Sequence, residues 1–193
     1  MRTLLLVLCL LPALALAQTD QLVFFTGTEA APDFGPFIST SVTFEQVVVH
    51  LGIRNPSRSC ISAYEVDVLV EGTTVAPTWT AVGCGEKPEC GTPPLQVQFT
   101  ECRPVGPNEV FTLATFSCYV LSPTDQIWFS VRPVPGSADF PDSPGYISGT
   151  AEVATPLTNA WGDQWGMPLF AINGDEPQPA ETSGWGRLKA LYR

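Results

Sequence analysis

Over residues 47–54 the side chains alternate, with Val47, Val49, Leu51 and Ile53 on one face and Val48, His50, Gly52 and Arg54 on the other. A period of two sends successive side chains to opposite faces of an extended chain, so this segment predicts a half-buried strand. Asn55-Pro56-Ser57 then ends it as a turn. Residues 61–71 follow the same rule: Tyr64, Val66, Val68 and Val70 point inward, and Glu65, Asp67, Leu69 and Glu71 mostly outward. The two strands follow one another in sequence and are expected to be neighbours. Further on, Leu95, Val97 and Phe99 alternate with Gln96, Gln98 and Thr100, and Ile127, Phe129 and Val131 with Trp128, Ser130 and Arg132. Residues 110–121 form a long run rich in Phe, Val, Thr and Tyr. Shorter β-rich runs cover 23–26, 38–44, 73–82, 147–154 and 169–172, giving about nine strands at the spacing of a sandwich or barrel. No 3.6-residue period is sustained. The fold class is therefore all-β, a two-sheet antiparallel sandwich of Ig-like or cohesin-like type, because a single sheet of this size would leave one apolar face uncovered.

Composition supports that reading. Only 15% of residues are charged, while 16 glycines and 19 prolines suit many short strands joined by rigid turns. The formal net charge of −10 repels phosphate backbones and anionic bilayers, which argues against nucleic acid as a partner. Residues 1–17 carry a positive Arg2, an apolar run over 4–16 and an Ala15-Leu16-Ala17 cleavage pattern, the layout of a secretory signal peptide. That run is short of the ~20 residues that span a bilayer, and no basic stop-transfer flank follows, so no membrane insertion is expected after cleavage. The expected location is secreted, periplasmic or cell-surface. Removing 17 of 193 residues leaves 176, room for one domain, placed at 18–173. Residues 174–183 read as a Pro-rich acidic linker and 184–193 as a basic, aromatic tail carrying Trp185, Arg187, Lys189 and Arg193. The tail is either a recognition tag for surface attachment or an element that docks on its own domain.

In an oxidising compartment Cys60, Cys84, Cys90, Cys102 and Cys118 read as disulfide candidates, since no zinc-type spacing accompanies them and His50 is the one histidine. Five is odd, so one thiol stays unpaired. Cys84 and Cys90 flank a turn-forming pentapeptide and are the first expected bridge, leaving Cys102 to pair with Cys60 or Cys118. Catalytic signals are sparse: no G-x-S-x-G elbow, H-E-x-x-H pair or phosphate-cradling glycine loop occurs, and mid-strand His50 reads as a surface or interface residue. No cofactor is expected beyond a structural calcium, for which Asp139, Asp142 and Asp175 on loops are the candidate ligands. The loop Trp161-Gly162-Asp163-Gln164-Trp165 could stack and hydrogen-bond a sugar through Trp161, Asp163, Gln164 and Trp165, or its rings could cap the open end of the core.

Four stretches together carry a family resemblance: the Phe25-Thr26-Gly27-Thr28-Glu29 opening, the Asn55-Pro56-Ser57 turn before Ile61-Ser62-Ala63-Tyr64-Glu65-Val66, the Ala171-Ile172-Asn173-Gly174 close, and the Trp185-Gly186-Arg187-Leu188-Lys189-Ala190-Leu191-Tyr192-Arg193 tail. The chain thus resembles uncharacterised secreted bacterial proteins with a cohesin-like sandwich. Cohesins bind dockerin modules, but the matching residues are turns and a tail, and no catalytic or ligand residue is carried over. The expectation is a non-catalytic secreted or cell-surface binding or structural module with a protein or glycan partner. A carbohydrate-binding module built on the tryptophan loop is the alternative. A glycoside hydrolase comes third, since its two acids need only converge about 5 to 9.5 Å apart in space.

Overall fold

A computed structural model describes residues 20–84, 91–106, 110–149, 152–160 and 164–174, and among these it holds twelve strands and no helix. In chain order they are β1 Gln21–Thr28, β2 Ala31–Asp33, β3 Phe37–Ile38, β4 Glu45–Arg54, β5 Cys60–Glu71, β6 Val75–Ala81, β7 Leu95–Pro104, β8 Val110–Val120, β9 Ile127–Arg132, β10 Gly145–Ser148, β11 Val153–Pro156 and β12 Pro168–Ile172. They form two sheets. One has five strands in the order β2-β1-β4-β8-β6, and the other seven in the order β11-β10-β5-β9-β12-β3, with β7 also paired to β5. Every pairing is antiparallel except β12 with β3. The all-β sandwich read from the alternation is therefore the fold.

The inner faces are those the alternation assigns: Val49, Leu51 and Ile53 of β4, Val66 of β5, Leu95 and Val97 of β7, and Ile127, Phe129 and Val131 of β9 are all buried. Phe129 stands at the middle of this core. Its ring lies 5.4 Å from Phe24, 5.3 Å from Phe116 and 5.8 Å from Phe170, in the tilted and edge-on geometries aromatic pairs prefer. Since β1 and β8 belong to the five-stranded sheet and β9 and β12 to the other, these contacts join the two layers. The Tyr64 hydroxyl donates across the same gap to the Leu113 carbonyl at 2.7 Å, and burial pushes its phenol well above the ordinary range.

The strands differ from expectation in three places. First, β4 and β5 are not neighbours. They lie in opposite sheets, because alternation fixes which face is buried and is silent on which edge pairs, and the turn after Arg54 carries the chain across the core. Second, the run over 38–44 is a strand only at Phe37–Ile38. The Glu45 carboxylate accepts the Ser41 and Val42 N–H groups at 2.8 and 3.3 Å and holds the rest as a turn. Third, the run over 147–154 is a hairpin of β10 and β11, with Gly149 and Glu152 at positive φ between them. Asp67 keeps the outer face that the alternation assigns it, opposite Arg132, yet is only 5% exposed; its carboxylate accepts the Arg132 Nε–H at 2.6 Å, and the guanidinium makes that burial tolerable.

Cys102 pairs with Cys60, joining β5 to β7, and Cys118 is the unpaired, buried thiol. Cys84 is also disulfide-bonded, while Cys90, the partner expected for it, lies outside the described residues. A bridge of this kind fits an oxidising environment.

Two side chains fasten the ends of the sandwich. At the start, the Asp20 carboxylate accepts the Tyr146 hydroxyl at 2.6 Å and the Ser57 N–H at 2.8 Å. At the end, the Asn173 amide oxygen accepts the Thr40 N–H at 2.6 Å, and its NH2 donates to the Asp125 carbonyl at 3.2 Å. Both residues sit in the left-handed region, at φ 57° and 56°, which Asp and Asn tolerate better than bulkier residues.

Candidate functional site

With the inner faces closed as core, the outer faces and the loops are what the fold leaves exposed. On the five-stranded sheet, Gln46 of β4 sits opposite Tyr119 of β8, and Val48 opposite Ser117. Val48 and Tyr119 are therefore diagonal cross-strand neighbours on the solvent side. The turn before β4 adds Val42 and Phe44, and the Phe44 ring lies 6.2 Å from that of Tyr119. All four are exposed: Phe44 60%, Val42 57%, Val48 42% and Tyr119 38%. Phe44 also takes φ 60°, a conformation that costs a bulky residue about 1–2 kcal/mol. A large aromatic in that conformation, facing water, gains little for the fold.

Farther along the same face the chemistry changes. Phe25 turns outward yet is fully buried, because His50 stacks on it at 5.0 Å and Phe34 covers it at 6.0 Å. The Arg54 guanidinium in turn lies 4.4 Å from the Phe34 ring centre. The His50 Nδ1 is 2.9 Å from the Thr115 hydroxyl, so the histidine is a packed member of this small outer cluster.

The seven-stranded sheet presents a polar cleft of about 550 Å³ between β5, β7 and β10 and the loop that carries Asp139 and Phe140. Ser62, Glu65, Gln96, Gln98, Asp139 and Glu152 supply its hydrogen-bonding groups. Glu65 Oε2 is buried there without a hydrogen-bond partner among the described residues. Gly145 belongs at the edge of this cleft because the Phe140 ring lies directly where a side chain would stand.

The residues singled out from the sequence are spread over the molecule. Trp165 is half-buried and packs against the core, as a capping ring would. Gln164 is exposed, and its carbonyl accepts an Asn159 N–H at 3.1 Å. Trp161 and Asp163 lie outside the described residues, so the tryptophan pair as such has no geometry. Asp139 and Asp142 are both exposed on the loop before β10, and Asp175 lies outside the described residues. Among the described residues no group of three or more His, Cys, Asp or Glu side chains is placed to hold a metal ion. The tail residues Trp185, Arg187, Lys189 and Arg193 also lie outside them.

Sequence reasoning missed Val42, Phe44 and Tyr119. Reading 38–44 as a strand concealed the first two, although the Ser39-Thr40-Ser41 cluster with Glu45 downstream is a turn signal. Tyr119 was hidden inside a long β-rich run whose every other residue is core.

No family model and no curated protein matches the sequence. Among solved structures, the chain is similar to the sixth cohesin from Acetivibrio cellulolyticus' scaffoldin B, solved in complex with a mutant Cel5 dockerin. The TM-score is 0.46 at 11% identity, covering 82% of this chain and 100% of that one. A likeness of that size carries nothing about function.

Proposed function

We propose that this chain is an exported, non-catalytic binding module that engages a protein partner at the cell surface through the outer face of its five-stranded sheet. One observation carries the reading: Phe44, Val48 and Tyr119 form an exposed apolar cluster, with the exposed Val42 in the same turn as Phe44, on a domain whose core is already closed. Grouped exposed aromatics rimmed by polar residues are the usual anchors of protein interfaces, and strained backbone gathers where function requires it. The signal-like residues 1–17 and the Cys60–Cys102 bridge favour export.

The test is a crosslinked pull-down from native envelopes using the mature protein, Phe44→Asn and Tyr119→Ser. Each variant should recover the partner about tenfold less well, as expected for loss of an interface aromatic. Asn tolerates positive φ, so Phe44→Asn should leave the melting temperature unchanged or raise it, by at most about 1 kcal/mol in stability. Equal recovery by wild type and both variants would remove this face from consideration.

A second reading, glycan binding, is favoured by the cleft, whose amides and carboxylates could hydrogen-bond sugar hydroxyls. In that case a glycan array should respond to the protein, and Gln96→Ala with Gln98→Ala should abolish the response while Phe44→Asn leaves it intact.

A further inference from the structure

Two carboxylates follow one another on the outward side of β5, and the fold treats them differently. Asp67 stands opposite Arg132 of β9 and accepts its Nε–H at 2.6 Å. Glu65 stands between Gln96 of β7 and Gly145 of β10, and neither brings a positive charge. Its Oε2 is buried with no hydrogen-bond partner among the described residues. An unpaired carboxylate oxygen held away from water costs free energy that packing does not return. The four arginines among the described residues are all engaged elsewhere: Arg132 on Asp67, Arg54 over Phe34, Arg58 towards the Thr155 hydroxyl and Arg103 over Phe99.

Glu65 belongs to the floor of the cleft of about 550 Å³. Register puts Gln96, Glu65 and Gly145 in one row across the sheet and Gln98, Ala63 and Ile147 in the next, about 7 Å along. Ala63 and Gly145 keep the floor low, and the exposed Gln96 and Gln98 raise a wall of amides on the β7 side. The β10 side carries Asp139 and Glu152, so every charged residue lining the cleft is an acid. Both sides are braced in advance. The Ser137 hydroxyl accepts the Phe140 N–H at 2.9 Å and holds the loop of Asp139, whose Phe140 ring lies on Gly145. The Gly149 N–H donates to Cys102 Sγ at 3.3 Å, which ties the hairpin of Glu152 to the Cys60–Cys102 bridge.

We propose that this cleft is a second binding site, which receives a lysine or arginine side chain of a protein partner. The incoming N–H groups donate to Glu65, whose carboxylate turns about its last bond to present an oxygen, and to the amide oxygens of Gln96 and Gln98. Ionised carboxylates only accept, so the cleft selects a positively charged, donor-rich group and repels phosphate or uronate. Tyr64, Phe99 and Phe140 line it but are buried. A sugar therefore finds no ring to stack on, whereas a long flexible side chain needs none. The site lies on the opposite sheet from Phe44 and Tyr119 and does not depend on the apolar face.

The experiment titrates the mature chain, followed by amide nuclear magnetic resonance, with end-blocked tetralysine and tetraarginine peptides and with tetralysine acetylated on every side chain. The amides of Glu65, Gln96 and Gln98 should shift with the two charged peptides and stay still with the acetylated one, and binding should weaken as salt is raised. Glu65→Gln should reduce the affinity at least about tenfold while the melting temperature holds or rises, because a charge without a partner has been removed. Asp139→Asn with Glu152→Gln, both at exposed positions, should leave folding alone and weaken binding several-fold. Phe44→Asn should change nothing in this titration, so failure of the cleft and failure of the apolar face are told apart. Unchanged affinity in Glu65→Gln, or in the double variant, overturns the proposal, as do shifts with the acetylated peptide or with no peptide at all. Shifts with sugar oligomers alone overturn it in favour of the glycan reading of the cleft.

Discussion

The two outer faces of this sandwich cover the same core and differ in kind. The five-stranded sheet ends in exposed rings and aliphatic side chains at Phe44, Tyr119, Val42 and Val48. The seven-stranded sheet shows a cleft edged by Glu65, Gln96, Gln98 and Glu152. Inward, the strands are alike: Leu51, Phe116, Val66 and Phe129 could exchange layers with little change in chemistry. The inner positions answer to packing, which either sheet must satisfy in the same way. The outer positions are under no such demand, so the two faces are free to diverge.

Substitutions can erase that distinction or bring it into focus. Phe129→Ala removes the ring that contacts both layers and should cost about 3–5 kcal/mol, with both faces lost in one cooperative transition by calorimetry. Separate transitions for the two faces would show that the sheets hold independently. Replacing Cys60 and Cys102 together with Ser acts on the seven-stranded side, where the bridge ties β5 to β7. A loss of about 2–5 kcal/mol is expected, along with faster amide exchange at Gln96 and Gln98 than at Val48 and Tyr119. Tyr146→Phe deprives the Asp20 carboxylate of a buried donor and should cost about 1–3 kcal/mol by denaturant melts, leaving the exposed rings untouched.

The smallest effect concerns the five-stranded side and depends on pH. Burial pushes the Cys118 thiol from 9.0 up to about 11. The folded chain then keeps a proton that the unfolded chain has released. The stability that Cys118 contributes is therefore complete below the lower value and is lost as pH rises through the upper one. Cys118→Val should flatten the fall in melting temperature across this window. The buried phenols of Tyr64 and Tyr146, also raised by desolvation, should continue to erode stability above it. An unchanged slope in the valine variant would show that the thiol does not titrate with folding.

Period-two patterning made most strands and nearly all of the core legible, because Val49, Leu51 and Ile53 or Leu95, Val97 and Phe99 announce their face by residue type alone. Pairing was not legible. β4 and β5 follow one another with only a short turn between them, yet nothing in their side chains says that the turn crosses the core. The patterning placed Asp67 on the outer face but could not show that it is covered there, because its cover is Arg132, sixty-five positions away in sequence. Phe25 likewise points outward by register and is covered only because Phe34 returns over it. The exposed apolar face was the least visible feature, since an exposed Phe44 differs from a buried one only through the backbone turn that Glu45 imposes.

Asn173 has a mechanical consequence. Tension drawn along β12 from its C-terminal side meets the antiparallel ladder to β9 and the parallel one to β3 lengthwise, so their bonds share the load together rather than yielding one at a time. The amide clamp on Thr40 and Asp125 is the first link to be stretched. A pull at that end would therefore strain the turn bearing Phe44 before any strand is drawn out.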